Sequence, residues 1–170
     1  MFEVGTIDFA VYEEGDEFVG MASVKLPDKN QKSVTMAGAG IGGDVEVPIP
    51  GQYDALTLEM VFPVYSKRVA RLREPRRHTI ELRIAQQNED RVQGRLVQEG
   101  AKHVFVVVPK SKSGGTIAPA SKSDTTLAFS VRYWATYING EKVDELDQLN
   151  YIDIINGVDY GAPVRRALGK

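Results

Sequence analysis

The sequence predicts a mainly β protein: an antiparallel β-sandwich or barrel flanked by one helix, with extended hairpins and an arm. Three observations carry this. Apolar and polar residues alternate along most of the chain, which is the period-2 signature of half-buried strands. Only the stretch 64–74 shows helical spacing, with Val64, Arg68, Val69 and Leu72 in step and Pro75 as a stop. Asn139-Gly140 separates a long alternating run, 125–138, from a second run starting at Glu141. Asn-Gly supplies the two positive-φ residues that a type I′ hairpin turn needs.

In order, Ile7, Phe9 and Val11 share one face of a first strand, which turns at Glu13-Glu14-Gly15-Asp16. Phe18, Gly20, Ala22, Val24 and Leu26 alternate along a second, and a short strand around Val34 and Met36 follows a turn at 27–30. The glycine-rich run 37–43 leads into Val45, Val47 and Ile49, broken by Pro48 and Pro50. Proline cannot donate to a ladder, so 36–50 is expected to be an edge strand or extended arm. Leu56, Leu58, Met60 and Phe62 line a further strand. Beyond the helix, Ile80, Leu82 and Ile84 mark a strand that turns at Asn88-Glu89-Asp90 and returns through Val92, Gly94 and Leu96. Val104 to Val108 lacks polar alternation and is expected to be buried on both faces. The stretch 110–124, rich in Ser, Gly and Lys, reads as a flexible exposed loop. Leu149 to Ile155 forms a last short run, broken at Asn156-Gly157-Val158-Asp159.

At 170 residues the chain is expected to be one domain, 1–170. A formal charge of -2 gives no long-range attraction to nucleic acid or anionic membrane. The absence of cysteine excludes disulfides, thiolate chemistry and Cys-ligated zinc. No basic-then-apolar leader opens the sequence and no apolar run approaches membrane-spanning length, so cytoplasmic synthesis and no stable membrane association are expected.

The chemical motifs are weak. Gly38, Gly40 and Gly43 fit a dinucleotide fingerprint, but Asp44-Val45-Glu46-Val47-Pro48 follows where that fingerprint requires a helix. His78 and His103 are the only histidines, and neither has zinc-ligand or triad spacing. Asp144, Glu145 and Asp147 read as turn carboxylates. No nucleophile–base constellation exists, so no enzyme and no cofactor are expected. The basic cluster Lys67, Arg68, Arg71, Arg73, Arg76 and Arg77 has three readings: a solvated helix face, a nucleic-acid patch, or a docking face for an acidic protein surface.

The C-terminal third resembles a known family. The segments 137–143, 147–152, 155–159 and 165–169, which read YINGEKV, DQLNYI, INGVD and RRALG, are similar to the ending of major tail tube proteins of contractile-tailed phages, in their P2-like branch. Earlier parts agree more loosely: Val24-Lys25-Leu26-Pro27, the glycine-rich 38–44, and Asp54-Ala55-Leu56-Thr57-Leu58-Glu59. The stretch 68–124 departs from the pattern. R-type bacteriocins use tubes of the same family.

The resemblance implies a structural subunit of hexameric rings stacked into a hollow tube, with inner hairpins from all subunits joined into one β-barrel around a lumen. The implied partners are other copies of the chain, a tail sheath protein, a tape measure protein, a baseplate or initiator, and DNA passing through the lumen in a phage. In a bacteriocin the conduit would instead depolarise a membrane. The implied location is the virion tail or bacteriocin particle, assembled in the host cytoplasm. On this reading Met36, Gly38, Gly40, Ile41, Gly43, Val45 and Val47 are expected on an inter-subunit arm. Ser23, Lys25, Thr35, Glu81, Arg83, Gln93 and Arg95, on polar faces of supposed hairpins 18–36 and 79–98, are expected towards the lumen. Lys67, Arg68 and Arg71 are expected towards sheath. The alternative is a free-standing β-sandwich that binds carbohydrate through exposed Trp134 and Tyr133.

Overall fold

The computed structural model describes residues 1–18, 21 and 23–170, so the expected strand positions Gly20 and Ala22 lie outside the described residues. Twelve strands and two short helices are present among the described residues. They are β1 (Phe2–Glu13), β2 (Asp16–Phe18), β3 (Ser23–Lys25), β4 (Gln31–Met36), β5 (Val45–Tyr53), β6 (Thr57–Phe62), α1 (Lys67–Arg71), β7 (His78–Asp90), β8 (Arg95–Ser113), β9 (Thr125–Ile138), β10 (Glu141–Asp147), β11 (Ile152–Ile155), β12 (Val158–Asp159) and α2 (Ala162–Ala167).

Ten strands form one antiparallel sheet in the order β12-β11-β10-β9-β8-β7-β1-β2, with β6 and then β3 branching from β9. The branch arises because β9 is long. Its first half pairs with β6, as in Leu58↔Phe129, and its second half pairs with β10, as in Leu146↔Trp134. The inward face carries a single apolar core of Val11, Leu58, Met60, Ile80, Leu82, Phe105, Val107, Leu127, Phe129 and Trp134, among others. One core lined by one face of a ten-stranded sheet requires the sheet to curl on itself, which is the sandwich-or-barrel layout the alternation predicts.

The tight turns are set by local chemistry. Asn139 (φ 51°) and Gly140 (φ 81°) close β9–β10 as expected, and Asn156 (φ 53°) with Gly157 (φ 81°) repeats the device between β11 and β12.

Several expectations are corrected. The helix predicted over 64–74 contains only Lys67–Arg71, because Ser66 caps it by accepting the Val69 N–H at 3.3 Å and leaves Val64 and Tyr65 outside. Val69 and Leu72 are buried, so the apolar stripe is real but one turn long. A second helix, α2, is present that the sequence reading lacks. Its six residues fall below the length at which periodicity is readable, though Pro163 in its first turn and Arg165 and Arg166 in its last are ordinary end signals. Residues 18–36 do not form a hairpin: β3 pairs with β6, and β4 pairs with β5. β7 runs unbroken through Asp90, and the turn lies at 91–94, where the Gly94 N–H donates to the Asp90 carbonyl at 2.8 Å. In β8, Phe105 and Val107 are fully buried while Val104, Val106 and Val108 are half-exposed, so one face is buried rather than two. That strand continues to Ser113 and shortens the exposed loop to 114–124. The run 149–155 is a turn followed by β11.

Both histidines have structural settings. His78 is fully buried, with Nδ1 2.5 Å from Glu13 Oε1 and Nε2 3.0 Å from the Glu74 carbonyl. His103 Nδ1 lies 3.2 Å from the Trp134 indole nitrogen. Indole N–H only donates, so Nδ1 must accept and the ring is neutral. Burial, then the Lys29 ammonium, hold the His103 pKa below its ordinary value. The unfolded chain therefore takes up a proton near pH ~6.5 while the folded protein does not until lower pH. Protons bound by the unfolded state but not the folded one reduce stability, so wild type should lose stability as pH falls below about 6.5. Urea midpoints measured at about pH 7 and about pH 5 check this; the drop should be smaller in His103→Gln.

Candidate functional site

Strands β1, β7 and β8 run past the core as a three-stranded sheet. The β8–β9 ladder ends at Ala101↔Ile138, and among the described residues β2 pairs with β1 over Val11↔Phe18 to Glu13↔Asp16. Among the described residues, β1 from Phe2 to Asp8 thus has β7 on one edge and no strand on the other, and β8 from Arg95 to Glu99 has the matching free edge. The tip carries Gln98, which is exposed, Gln86 and Gln87, which are half-buried, and Asn88, which is buried. Unpaired N–H and C=O rows of this length are templates for another strand.

The register corrects the expected polar face. Glu81↔Val104, Arg83↔Lys102 and Gln87↔Gln98 lie on one side, whereas Asp90↔Arg95 lies on the other, so Arg95 does not share a face with Glu81 and Arg83. Gln93 sits in the turn. Ser23 and Lys25 are on β3, opposite Val61 and Glu59, and Thr35 is on a different hairpin. Arg83 donates from Nε to Glu81 Oε1 at 2.6 Å and stacks 4.7 Å over the Tyr12 ring.

The glycine-rich arm is the tip of a two-stranded ribbon, β4–β5, separate from the main sheet. Val34↔Val47 and Met36↔Val45 are cross-strand partners, which places Val34, Met36, Val45, Val47 and Ile49 on one face. All five are 38–54% exposed. The other face carries Ser33, Thr35 and Glu46, with a hydrogen bond from Ser33 to Glu46. Gly38, Gly40, Ile41 and Gly43 form the loop at its end. An isolated ribbon with an uncovered apolar face is marginal in water.

Tyr53 fixes the ribbon to the body. Its hydroxyl donates to the buried Asp153 at 2.8 Å, and burial pushes its pKa up. Tyr53→Phe leaves a buried carboxylate without this donor, so a stability loss of about 1–2 kcal/mol is expected in urea titration. Near Asp153 lies the C-terminal module. Arg165 donates to Asp159 at 2.5 Å and to the Tyr151 carbonyl at 2.8 Å, and the guanidinium holds the Asp159 carboxyl below its usual range. Gly161 is obligatory there, since a Cβ would lie 2.0 Å from the Tyr151 carbonyl oxygen.

The basic cluster is largely engaged within the chain. Arg68 donates to the Glu17 carbonyl and stacks 5.1 Å over Phe18; Arg71 pairs with Asp16 at 3.3 Å. Arg76 reaches Glu13, Glu14 and Glu74. Lys67 is exposed on the same helix. Two of the three acidic residues are likewise occupied: Glu145 accepts from Tyr133 at 2.7 Å and from Lys142 at 3.1 Å, and Asp147 caps the turn at Leu149 and Asn150. Trp134 is 8% exposed and packs against Phe105 at a ring separation of 5.3 Å, so it presents no open platform to a sugar.

The family model for phage tail tube protein FII matches residues 6–169. The chain belongs to this tail tube family. It is a structural subunit of a tail tube, and its fold agrees. A solved chain from the sheath/tube terminator of an extracellular contractile injection system, PVC, in its extended state superposes with a TM-score of 0.52 at 11% identity, covering 77% of this chain and 94% of that one. A chain from the PVC sheath–tube complex gives a TM-score of 0.49 at 12% identity, over 76% and 87% of the two chains. A chain from the anti-feeding prophage baseplate gives 0.44 at 12% identity, over 76% and 89%. No curated protein matches. None of the described helices is long and apolar enough to cross a membrane.

Sequence reasoning missed the edge of β1 that lacks a partner strand among the described residues, and the C-terminal helix. The first had a signal: Phe2, Val4 and Ile7 are exposed apolar residues on a strand with a polar partner.

Proposed function

We propose that this tail tube subunit closes into hexameric rings by strand pairing, the free β1 edge of one copy meeting the free β8 edge of the next. The three-stranded extension, with an edge on each side that has no partner strand among the described residues, is the observation that carries the reading. Two different edges of one subunit make a heterologous contact, which closes into a ring when the rotation permits. Joined extensions give a continuous barrel around a lumen, and the polar side chains of β7 and β8 suit a wetted wall. Of the residues expected there, Glu81 and Arg83 share one face and Arg95 takes the other, so only one of these sets lines the channel.

The ring stack serves as a passive conduit in a contractile tail. Sheath outside, baseplate or initiator at one end and tape measure within are the partners this role requires, with Lys67, which forms no ion pair among the described residues, offered outwards beside Arg68 and Arg71. Sheath contraction drives the tube through an envelope, after which DNA passes in a phage or ions pass in a bacteriocin. The particle assembles in the host cytoplasm. Negative-stain microscopy of purified, concentrated protein tests the reading: rings or hollow tubes are expected. Persistence as a monomer, even after seeding with sheared tail tubes, would overturn it.

A further inference from the structure

We infer that Asn156 is a site of spontaneous covalent modification, converting to aspartate and isoaspartate through a succinimide, while the matching turn at Asn139 is held unreactive. Two asparagines of the chain precede glycine, Asn139 and Asn156. Glycine has no Cβ to hinder its backbone nitrogen, so in Asn-Gly that nitrogen most readily reaches the asparagine side chain. The two turns share one backbone: φ is 51° and 81° in the first, 53° and 81° in the second. Both asparagines are exposed. A difference in fate must therefore come from what surrounds them.

The first turn is locked twice. The Asn139 side-chain amide donates to Glu99, and its backbone N–H donates to the Gly100 carbonyl at 2.9 Å. Glu99 is itself fixed by Asn88, whose amide donates to it at 2.9 Å. The flanking strands, β9 and β10, pair at six positions from Glu141↔Ile138 to Asp147↔Tyr133. Asn156 has a different setting. Its backbone N–H donates to the Val143 carbonyl at 2.7 Å, but among the described residues its side chain has no hydrogen-bond partner and the Gly157 nitrogen donates to none. β12, which closes this turn, is two residues long at the edge of the sheet, with the pairs Ile154↔Asp159 and Ile155↔Val158. Attack needs the Asn-Gly peptide to rotate out of the turn, and a short edge pair opens far more cheaply than a long hairpin inside the sheet.

No oxidant or cofactor is needed. The Gly157 nitrogen gives up its proton to water and bonds to Asn156 Cγ, and the side-chain nitrogen takes up a proton and departs as ammonia. Water then opens the ring at either carbonyl, leaving aspartate or an isoaspartate whose main chain is one carbon longer. Both products add a carboxylate, and the isoaspartyl link removes the tight turn that sets Ile155 opposite Val158.

The full-length protein, incubated at mildly alkaline pH and digested with trypsin, reports each turn separately. Cleavage after Arg132, Lys142 and Arg165 puts Asn139 and Asn156 on different peptides. The amide-to-acid mass shift should accumulate at Asn156 in peptide 143–165, while peptide 133–142 stays as in an unincubated sample. Equal conversion at the two turns, or earlier conversion at Asn139, overturns the inference. So does an unchanged Asn156 under conditions in which the urea-unfolded chain converts. Glu99→Ala is the second arm: Asn139 should convert about tenfold faster, its amide no longer held by a charged acceptor, with Asn156 unaffected. An unchanged rate at Asn139, in a variant whose circular dichroism matches wild type, overturns the protection assigned to Glu99.

Discussion

Replacing Val34 and Val47 together by lysine should abolish tube assembly while leaving the monomer folded. The two are cross-strand partners on the exposed face of the ribbon, 54% and 39% exposed. Neither belongs to the core, so folding gains little from them and loses little without them. Assembly is different. Burying each valine against a neighbour contributes roughly 1.5–3 kcal/mol, and each lysine in its place must be desolvated without a partner. A tube repeats the contact at every subunit, so the losses accumulate along its length. Thermal melting followed by circular dichroism should match wild type, and sedimentation or microscopy should find no tubes. Tubes of ordinary length from this double variant would remove the ribbon from the assembly surface.

Glu13→Ala should cause the largest stability loss of any exchange at a charged residue. Glu13 is 6% exposed, at the corner where β1 turns into β2. Its carboxylate meets His78 Nδ1 at 2.5 Å and Arg76 at 3.3 Å. Removing it leaves a fully buried imidazole nitrogen without a partner and cuts the tie between β1, β7 and the turn after α1. A cost of about 3 kcal/mol is expected from urea titration, since stranding a buried polar group is far worse than losing a solvated one. Asp16→Ala is the control: Arg71 and Asp16 are 55% and 61% exposed, and their pair should contribute nothing measurable. Equal effects from the two exchanges would mean that the buried corner is not the hinge of this hairpin.

Much of the fold could be read in the sequence because the physics is local. Period-2 alternation reports which side of a strand is buried, and Asn139-Gly140 fixes its hairpin without help from the rest of the chain. What stayed hidden depends on distant pairing. Nothing near Ser23 or Lys25 says that they pair with β6 rather than with the strand that follows them. The side assigned to Arg95 failed for a related reason. Placing the turn at 88–90 instead of 91–94 changes the register of the returning strand, and a one-residue slip sends a side chain to the opposite face. The ribbon proposed as assembly surface was legible in part. Glycines and prolines marked 36–50 as unsuited to a central strand, but that its valines would form one continuous uncovered face depended on the pairing of β4 with β5.

The doubly paired strand at the fork of the sheet also bears on how a driven tube carries load. β9 has β8 along one edge, from Thr126 to Ile138, and β6 then β10 along the other. A pull along β9 loads both ladders in shear, so many hydrogen bonds must yield together. The ribbon and the strand tips, held on one side only, can peel bond by bond. Each subunit is therefore stiff through its middle and compliant at its ribbon and strand tips, and in the proposed ring stack, where those parts are the joints, bending would concentrate there while the subunits keep their shape.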